Sequence, residues 1–273
     1  MVDLTKEPFL LDIPEFIPEY QKDVEYGYRG KAGENLEQLL RKTSDNHCMY
    51  CYALLKSDRV NTGHMEHSIE KSIDEEYLTE CVPNISLACS HCNQSLKKVE
   101  EKKRVEAVMP VVEKFEKDLE CKRRNCKGEC ANYRELKKEY CKNAKIILQP
   151  MGVKGEQTKC DYRIQYDIYN AAFIPSKNYS YDEEDLAYIN HHISQFRLND
   201  KGFKTRELAE FVEDVIEADG KYRKEKKYAN YIVDLFMEKI QGLSQKETLE
   251  LCGKIHMRNL ILFRKKRDKG KEN

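Results

Sequence analysis

Cys48-Met-Tyr-Cys51 and Cys89-Ser-His-Cys92 are two pairs of cysteines with the same spacing, and they decide the fold of this chain. Each pair presents two thiolates from a tight turn, so two pairs complete a closed tetrahedral zinc site. Because four thiolates leave no open coordination position, we predict a structural zinc that joins two segments distant in the chain. The alternative, two unrelated pairs of reduced thiols, leaves the repeated spacing unexplained.

The composition of the chain supports a metal-binding role for its cysteines. The chain has 11 Cys in 273 residues, yet no apolar run approaches the ~20 residues that cross a bilayer, and no apolar segment follows the N-terminus. We therefore expect a cytoplasmic protein that is neither membrane-bound nor secreted, with reduced thiols free to bind metal. Because 48 Lys and Arg balance 48 Asp and Glu, any affinity for nucleic acid must come from local clusters of charge.

Four residues between and beside the cysteine pairs resemble, in type and order, the motif of the HNH endonuclease family. Glu66 and His67 match the family's acidic-His pair at the end of a strand, Asn84 matches its central Asn, and Asn93 directly follows the second cysteine pair. The resemblance covers about residues 45–105. It implies a ββα-metal core embedded in a zinc-bound treble clef.

Phosphodiester hydrolysis explains why these residue types would occur together, since it requires a nucleophilic water and a cation beside the departing oxygen. A neutral His has a pKa near operating pH and can take a proton from water, so we assign His67 as general base. Hard oxygen ligands hold Mg²⁺ loosely, which makes Glu66 and Asn93 the predicted ligands of one catalytic Mg²⁺ or similar ion. By the resemblance, Asn84 is structural and hydrogen-bonds across the ββα loop to keep His67 aimed.

Two alternatives stay open at this site. A Glu-His dipeptide is common on protein surfaces, so the match at Glu66 and His67 could have arisen by chance. His64 lies two residues before Glu66, on the same face of the predicted strand. It is either an additional metal or phosphate contact or a solvated side chain.

A second set of four cysteines lies in a hydrophilic segment, residues 121–142, that contains almost nothing to bury. This set is a candidate second Cys₄ zinc site, and it consists of Cys121, Cys126, Cys130 and Cys141. A metal would order a segment that is otherwise too polar to fold. Because the spacing is irregular, the alternative that these thiols bind no metal stays open.

Three basic clusters are candidates for contacts with phosphate groups, because displaced counterions drive nucleic-acid binding. They are the 97–104 segment after the second cysteine pair, the basic residues at 122–127, and the tail at 264–271. The first is best placed to meet phosphates on their way to Asn93. The alternative for all three is a solvated charged face.

The predicted fold class is α+β: a ββα-metal HNH core on a Cys₄ zinc treble clef, followed by a small hairpin and a helical C-terminal half. We divide the chain into an N-terminal arm and helix (1–44), the nuclease core (45–120), the Cys-rich insertion (121–143) and the hairpin with the helical region (144–273). Local patterns predict a helix near 34–42, short strands within 54–90, a helix over 93–120 broken or kinked near Pro110, a strand at 146–148, a hairpin over 162–174, and helices near 183–196, 203–219, 222–241 and 244–260.

The order of elements after the core is similar to that of the PtuB-type nucleases of Septu and retron-linked defence systems. The similarity consists of the strand ending at Pro150, the hairpin, the next helix, and Leu198-Asn199 followed by Arg206. It implies an effector nuclease of bacterial anti-phage defence, with DNA as substrate, RNA still open, and an SMC- or ABC-like ATPase as partner.

Two rival functions are consistent with parts of the sequence. One is a noncatalytic zinc module that binds nucleic acid or protein, for which the cysteines suffice but Glu66, His67 and Asn93 have no purpose. The other is an HNH restriction or homing enzyme that acts alone. Sequence-specific cleavage products would favour this second rival.

Overall fold

The computed structural model describes residues 9–57, 60–73, 75–118, 126–200, 203–222 and 230–269, a mixture of helices and small antiparallel sheets. Within these residues the strands are β1 (Leu10–Asp12), β2 (Lys56–Ser57), β3 (Val60–Asn61), β4 (Gly63–His67), β5 (Ile85–Cys89), β6 (Ile164–Asp167) and β7 (Ala172–Pro175). The helices are α1 (Gly30–Thr43), α2 (Glu75–Leu78), α3 (Glu101–Asp118), α4 (Ala131–Ala144), α5 (Glu183–Gln195), α6 (Phe203–Glu217), α7 (Tyr231–Ile240) and α8 (Gln245–Lys269). None of these described helices combines the length and apolarity needed to cross a membrane.

The chain forms two compact units, each assembled from segments that are not adjacent in sequence. The cysteine unit consists of Pro14–Tyr162 and Asn178–Phe196, and it contains both cysteine pairs. The C-terminal unit consists of the chain up to Ile13, Arg163–Lys177 and the chain from Arg197 onward. The four domains predicted from the sequence are consecutive stretches of chain, whereas each of these two units combines stretches that are far apart in the sequence.

The C-terminal unit contains a three-stranded antiparallel sheet in the order β1-β6-β7. Its β6–β7 hairpin confirms the hairpin predicted from the alternating pattern. Strand β1 was not predicted, because three residues are too few for a periodic signal and their partner lies far along the chain. Asn199 bonds both backbone groups of Phe173 in β7, at 2.6 and 2.9 Å.

The cysteine unit is organised around the antiparallel β4–β5 hairpin, in which Glu66 pairs with Ser86 and His67 with Ile85. Helix α1 confirms the helix predicted near 34–42, and it buries Leu36 and Leu40 from one face. The predicted short strands within 54–90 are likewise present as β2 to β5.

The chain after β5 differs from the single helix predicted over 93–120. A π turn spans Cys92–Leu96, and the N–H of Lys97 donates to the carbonyl of Cys92 at 3.0 Å, five residues earlier. A non-helical turn with a positive φ of 59° at Glu100 follows, and only then does α3 begin. The interruption therefore lies before α3, while α3 itself runs without a break through Pro110.

Helix α4 overturns the expectation that residues 121–142 have almost nothing to bury. Its buried residues recur at helical spacing along one face, and they are Tyr133, Leu136, Lys137, Tyr140, Cys141 and Ala144. The segment is polar in composition, but its few apolar residues fall on the buried side of a helix that packs against α3. Composition alone hides this pattern.

The strand predicted at 146–148 is also wrong, although its residues are buried as expected. Side chains from α5 take the place of a partner strand: Tyr188 Oη donates to the Ile146 carbonyl at 2.6 Å, and the Ile147 N–H donates to His192 Nδ1 at 3.0 Å. Helices α5 and α6 agree with their predictions, α8 continues to Lys269, and residues 223–229 of the third predicted helix lie outside the described chain.

Candidate active site

The sulfur atoms of the two cysteine pairs lie within 4.8 Å of one another. Cys51 Sγ and Cys89 Sγ are 3.8 Å apart, and four sulfurs placed tetrahedrally at ~2.3 Å from zinc are separated by about the same distance. Among the described residues, this is the one group of three or more Cys, His, Asp or Glu ligands. The cluster fits a closed zinc site.

Two tight turns bring these thiols together. In the first, the N–H of Tyr52 donates to the Cys48 carbonyl at 2.8 Å, with Tyr52 at a φ of 63°. Backbone N–H groups also point at sulfur, because Cys89 N donates to Cys48 Sγ at 3.3 Å and Cys92 N to Cys89 Sγ at 3.4 Å. Hydrogen bonds with Cys48 and the neighbouring thiols lower the pKa of Cys89, whereas burial raises the pKa of Cys48.

A cavity of about 260 Å³ lies between the β4–β5 hairpin and the π turn that follows it. It contains three of the four predicted HNH-type residues, Glu66, His67 and Asn93, whereas His64 does not line it. The remaining side chains that line the cavity are Tyr28, Met65, Glu70, Lys71, Ser72, Lys97, Lys98 and Glu101. His64 is exposed, and its Nε2 lies 2.9 Å from Ser90 Oγ.

His67 is held in one orientation with one nitrogen available. Its Nε2 lies 3.1 Å from the carbonyl oxygen of Thr79, which can only accept, so Nε2 carries the proton and Nδ1 is the basic atom. No described residue donates to Nδ1. Burial lowers the pKa of His67 below its ordinary value, and the ring packs against Tyr28 at a centroid distance of 4.5 Å. The imidazole is therefore neutral and able to accept a proton at neutral pH.

Glu66 is buried, with 3% of its surface exposed, and both of its carboxylate oxygens already have donors. Oε1 accepts from Tyr50 Oη and Ser86 Oγ, each at 2.5 Å, and Oε2 accepts from Lys97 Nζ at 2.5 Å. Burial alone would raise the pKa of Glu66, but the charge of Lys97 and these hydrogen bonds outweigh it and lower the pKa. The Tyr50 ring is in turn stacked on Phe196, with centroids 4.9 Å apart.

The structure does not support the predicted Mg²⁺ site on Glu66 and Asn93. A hard divalent ion needs accessible oxygen ligands, and both oxygens of the buried Glu66 carboxylate already accept hydrogen bonds, one of them from the Lys97 ammonium. The cation beside Glu66 is instead the ammonium of Lys97. Asn93 lines the cavity as expected and is half-buried.

Lys97 is the residue at this site that sequence reasoning missed, since it was counted among the phosphate-binding charges of the 97–104 segment. Its side chain is 7% exposed, and Nζ donates to Glu66 Oε2 and to the His67 carbonyl. Arg104, from the same segment, is also buried and pairs with Glu70 at 2.8 Å. Two of the five cations in that segment are therefore internal, and nothing in a run of similar charges marks them.

The other cations of the same segment are exposed and each has an acidic partner nearby. Lys98 Nζ lies 2.6 Å from Glu101, Lys103 Nζ 2.9 Å from Glu100, and Lys102 Nζ 3.8 Å from Glu106. Exposed ion pairs of this kind contribute little to stability. Another anion can therefore replace the acidic partner of each lysine.

Asn84 does not line the cavity, and it joins the two ends of the loop between β4 and β5. Its Oδ1 accepts from the Ile69 N–H at 2.8 Å and its Nδ2 donates to the Ile69 carbonyl at 3.0 Å. Tyr133 Oη, from α4, donates to the same Oδ1 at 3.1 Å. These bonds fix the backbone two residues after His67.

The candidate second zinc site is not assembled by the cysteines that the structure describes. Cys130 is exposed and caps α4, since its Sγ accepts from the Tyr133 N–H at 3.3 Å. Cys141 is buried, and burial raises its pKa to about 11. These two and Cys126 form no group of three ligands, and Cys121 lies outside the described residues together with residues 122–124.

Lys127 of the same segment contacts protein rather than a free surface. Its Nζ donates to the carbonyls of Gln21, at 2.8 Å, and Lys22. It also lies 6.0 Å from the centroid of the Tyr26 ring. These contacts therefore do not support the predicted phosphate contact by Lys127.

Comparison of the chain with protein-family models, with curated proteins and with solved structures found no match. The likeness to HNH endonucleases accordingly rests on Glu66, His67, Asn84, Asn93 and the two cysteine pairs alone. Any function drawn from it is a proposal.

Proposed function

We propose that this protein is an HNH-type endonuclease that hydrolyses phosphodiester bonds in DNA with His67 as general base. One observation carries the proposal: a neutral His with a fixed orientation and an available Nδ1 lines a cavity beside the zinc-type cysteine cluster. The order of β4, β5 and the helical turn after them agrees with the ββα order that the resemblance implies.

The proposed reaction requires His67 to accept a proton from a water that attacks phosphorus. The Thr79 carbonyl holds Nε2–H, so Nδ1 is the atom that accepts, and the ring gains a positive charge as it does. The Thr79 carbonyl and the Glu66 carboxylate favour that charge, whereas the ammonium groups of Lys97 and Lys71 oppose it. After the bond to the leaving oxygen breaks, His67 returns its proton to solvent.

A divalent ion, where an HNH site holds one, stabilises negative charge on the phosphate and on the leaving oxygen. The arrangement of Glu66 does not fit such an ion, and no step here depends on one. Asn93 is proposed to hydrogen-bond the phosphate through its amide, since its side chain lines the same cavity as His67.

Cleavage of supercoiled plasmid is the direct test. The zinc-loaded protein is expected to convert supercoiled DNA to the nicked form, because a single site cuts one strand, and His67→Ala is expected to lower the rate by about 10²–10⁴-fold. His256→Ala, a histidine in the other unit paired with Glu213, is the matched control and is expected to leave the rate unchanged.

Equal cleavage by the wild type and His67→Ala would contradict the mechanism. Retained binding of DNA with no cleavage of either DNA or RNA in any buffer would favour the noncatalytic zinc module. Cleavage of RNA alone would correct the substrate but keep the role of His67. The place of the chain in anti-phage defence, and an SMC- or ABC-like ATPase as partner, stay predictions that copurification from the native operon tests.

A further inference from the structure

We infer that the cation of this active site is the Lys97 ammonium, and that Glu66 is its buried counter-ion rather than a ligand of a divalent metal. The inference rests on the proposed phosphodiester hydrolysis and identifies the group that would face the phosphate. It reverses the assignment made from the sequence, in which Glu66 binds Mg²⁺ and Lys97 belongs to an outer basic surface.

The first argument is the state of the carboxylates that line the cavity. Glu66 is paired with Lys97 at 2.5 Å, Glu70 with Arg104 at 2.8 Å and Glu101 with Lys98 at 2.6 Å. Two of these carboxylates thus form buried pairs with cations of the protein, and the third, Glu101, has an exposed cation beside it. The second oxygen of Glu70 is buried and has no hydrogen-bond partner among the described residues, so Arg104 holds this carboxylate through its first oxygen.

The second argument is how firmly Lys97 is held in place. Its ammonium donates to Glu66 Oε2 and to the carbonyl of His67, so it is bonded to both members of the acidic-His pair. Its own carbonyl accepts from the Arg104 guanidinium, and the preceding Leu96 carbonyl accepts from Gln195 Nε2 at 2.5 Å. A charge that is already oriented needs no reorganisation when negative charge develops beside it.

The third argument is the donor that remains. An ammonium has three N–H groups, and two of them are used by Glu66 and His67. The third has no acceptor among the described residues, and Lys97 lines the cavity beside His67 and Asn93. Lys71, exposed at the same cavity, forms no ion pair with a described residue. The ammonium groups of Lys97 and Lys71 are therefore available to donate hydrogen bonds to an anion in the cavity.

The π turn explains why Lys97 rather than an outward-facing residue occupies this position. In this turn the Cys92 carbonyl is bonded by the N–H of the fifth residue after it, one residue later than in an α-helix. Cys92 stays in the cysteine cluster at one end of the turn, while Lys97 enters the cavity at the other. Arg104 acts as a positioning residue because it bonds the end of the turn.

The hydrolysis balances without a metal. The water oxygen forms a bond to phosphorus and His67 Nδ1 takes one water proton, while the bond from phosphorus to the leaving oxygen breaks. Lys97 keeps its proton and donates a hydrogen bond to a non-bridging phosphate oxygen. The leaving oxygen takes a proton from solvent, and His67 releases its own to solvent, so the sum is one water consumed.

The test combines Mn²⁺ binding with cleavage. Mn²⁺ alone, followed by its electron paramagnetic resonance signal, is not expected to bind the wild type at this site. In Lys97→Met the freed Glu66 carboxylate and Asn93 are expected to bind one Mn²⁺ per chain, and Lys97→Met/Glu66→Gln is expected to lose that binding. The Mn²⁺ measurement does not depend on enzyme activity. The double variant carries no buried charge at these two positions, so it remains informative if the buried unpaired carboxylate prevents Lys97→Met from folding.

In the cleavage experiment, the zinc-loaded wild type is expected to nick plasmid at the same rate with and without Mg²⁺. The zinc content is expected to be one ion per chain in both buffers. Lys97→Met is expected to reduce this rate by about 10²–10³-fold, the usual effect of removing one donor to a developing anion. Lys137→Met, which breaks a buried Lys–Glu pair with Glu129 away from the cavity, is the matched control and retains the rate.

One Mn²⁺ bound per wild-type chain, lost in Glu66→Gln, would overturn the inference, as would cleavage that requires Mg²⁺ and survives Lys97→Met. Either result leaves the proposed hydrolysis standing. Conversely, a wild type that never cleaves overturns the proposed function, while the Mn²⁺ results still decide whether Glu66 is a counter-ion.

Discussion

Asn84 bonds both the N–H and the carbonyl of Ile69, so one buried amide closes the loop that follows His67. Asn84→Ala leaves both backbone groups buried without a partner, and we expect the free energy of unfolding to fall by about 2–4 kcal/mol. Tyr133→Phe removes only the third bond to this amide and should cost about 1 kcal/mol. Urea denaturation of the zinc-loaded proteins measures the free energy of unfolding of both variants. An equal loss in Asn84→Ala and Tyr133→Phe would contradict the larger role assigned to the two bonds with Ile69.

The cysteine cluster predicts one tightly bound zinc per chain. Cys89→Ser removes one of four thiolates, and we expect it to lose the zinc and to lower Tm by about 10 °C or more, because metal binding contributes directly to folding. Cys160→Ser, outside the cluster, is the control and should keep both zinc and Tm. Elemental analysis beside a thermal melt decides, and zinc retained in Cys89→Ser would remove this cluster as the site.

The second cysteine set leads to the opposite expectation. Since Cys130 caps α4 and Cys141 is buried apart from it, Cys126→Ser/Cys130→Ser should leave the zinc content at one per chain. We expect only a small loss of stability, from the weakened helix cap. A wild type with two zinc ions and a double variant with one would instead establish a second site, in which Cys121 takes part.

His192 predicts a pH dependence of stability. Burial lowers its pKa to about 3, and the ordinary value in an unfolded chain is about 6.5, so protonation favours the unfolded state. Its contribution is complete above pH ~6.5 and is lost as the pH falls toward 3, which amounts to about 2 kcal/mol at pH 5. His192→Asn keeps an acceptor for the Ile147 N–H and should lose this part of the pH dependence.

Urea midpoints at pH 7.5 and pH 5 check the size of the effect. The wild type should lose about 2 kcal/mol more than His192→Asn between the two values. If both proteins lose the same free energy, His192 is not the group responsible, and the charge of the neighbouring His191 on the same helix would be the next to examine.

The sequence could predict the cysteine cluster because two cysteine pairs with the same spacing indicate that all four thiols bind one metal ion. It could also predict that Glu66, His67 and Asn93 meet, since the cluster fixes both ends of the segment that carries them. It could not predict Lys97, because a lysine that turns inward looks the same as its exposed neighbours. Only the π turn, which depends on how Cys92 is held, separates them.

The failures in the fold have similar causes. Strand β1 is formed by three residues whose partners in β6 lie far along the chain, so no local pattern announces it. The segment at 146–148 has the apolar character of a strand, but Tyr188 and His192 supply its hydrogen bonds from a helix. Local composition reports burial in these cases, and tertiary partners decide the conformation.

The stacking of Tyr50 on Phe196 sets the order in which the site can be completed during synthesis. A nascent chain that has emerged through α3 carries both cysteine pairs, His67 and Lys97, yet it lacks the ring on which Tyr50 rests and the Gln195 amide that bonds Leu96. The Tyr50 hydroxyl donates to Glu66, and the Phe196 ring that packs against Tyr50 is present only after nearly two hundred residues have been synthesised. We expect a truncated product to bind zinc and still to lack the finished cavity beside His67.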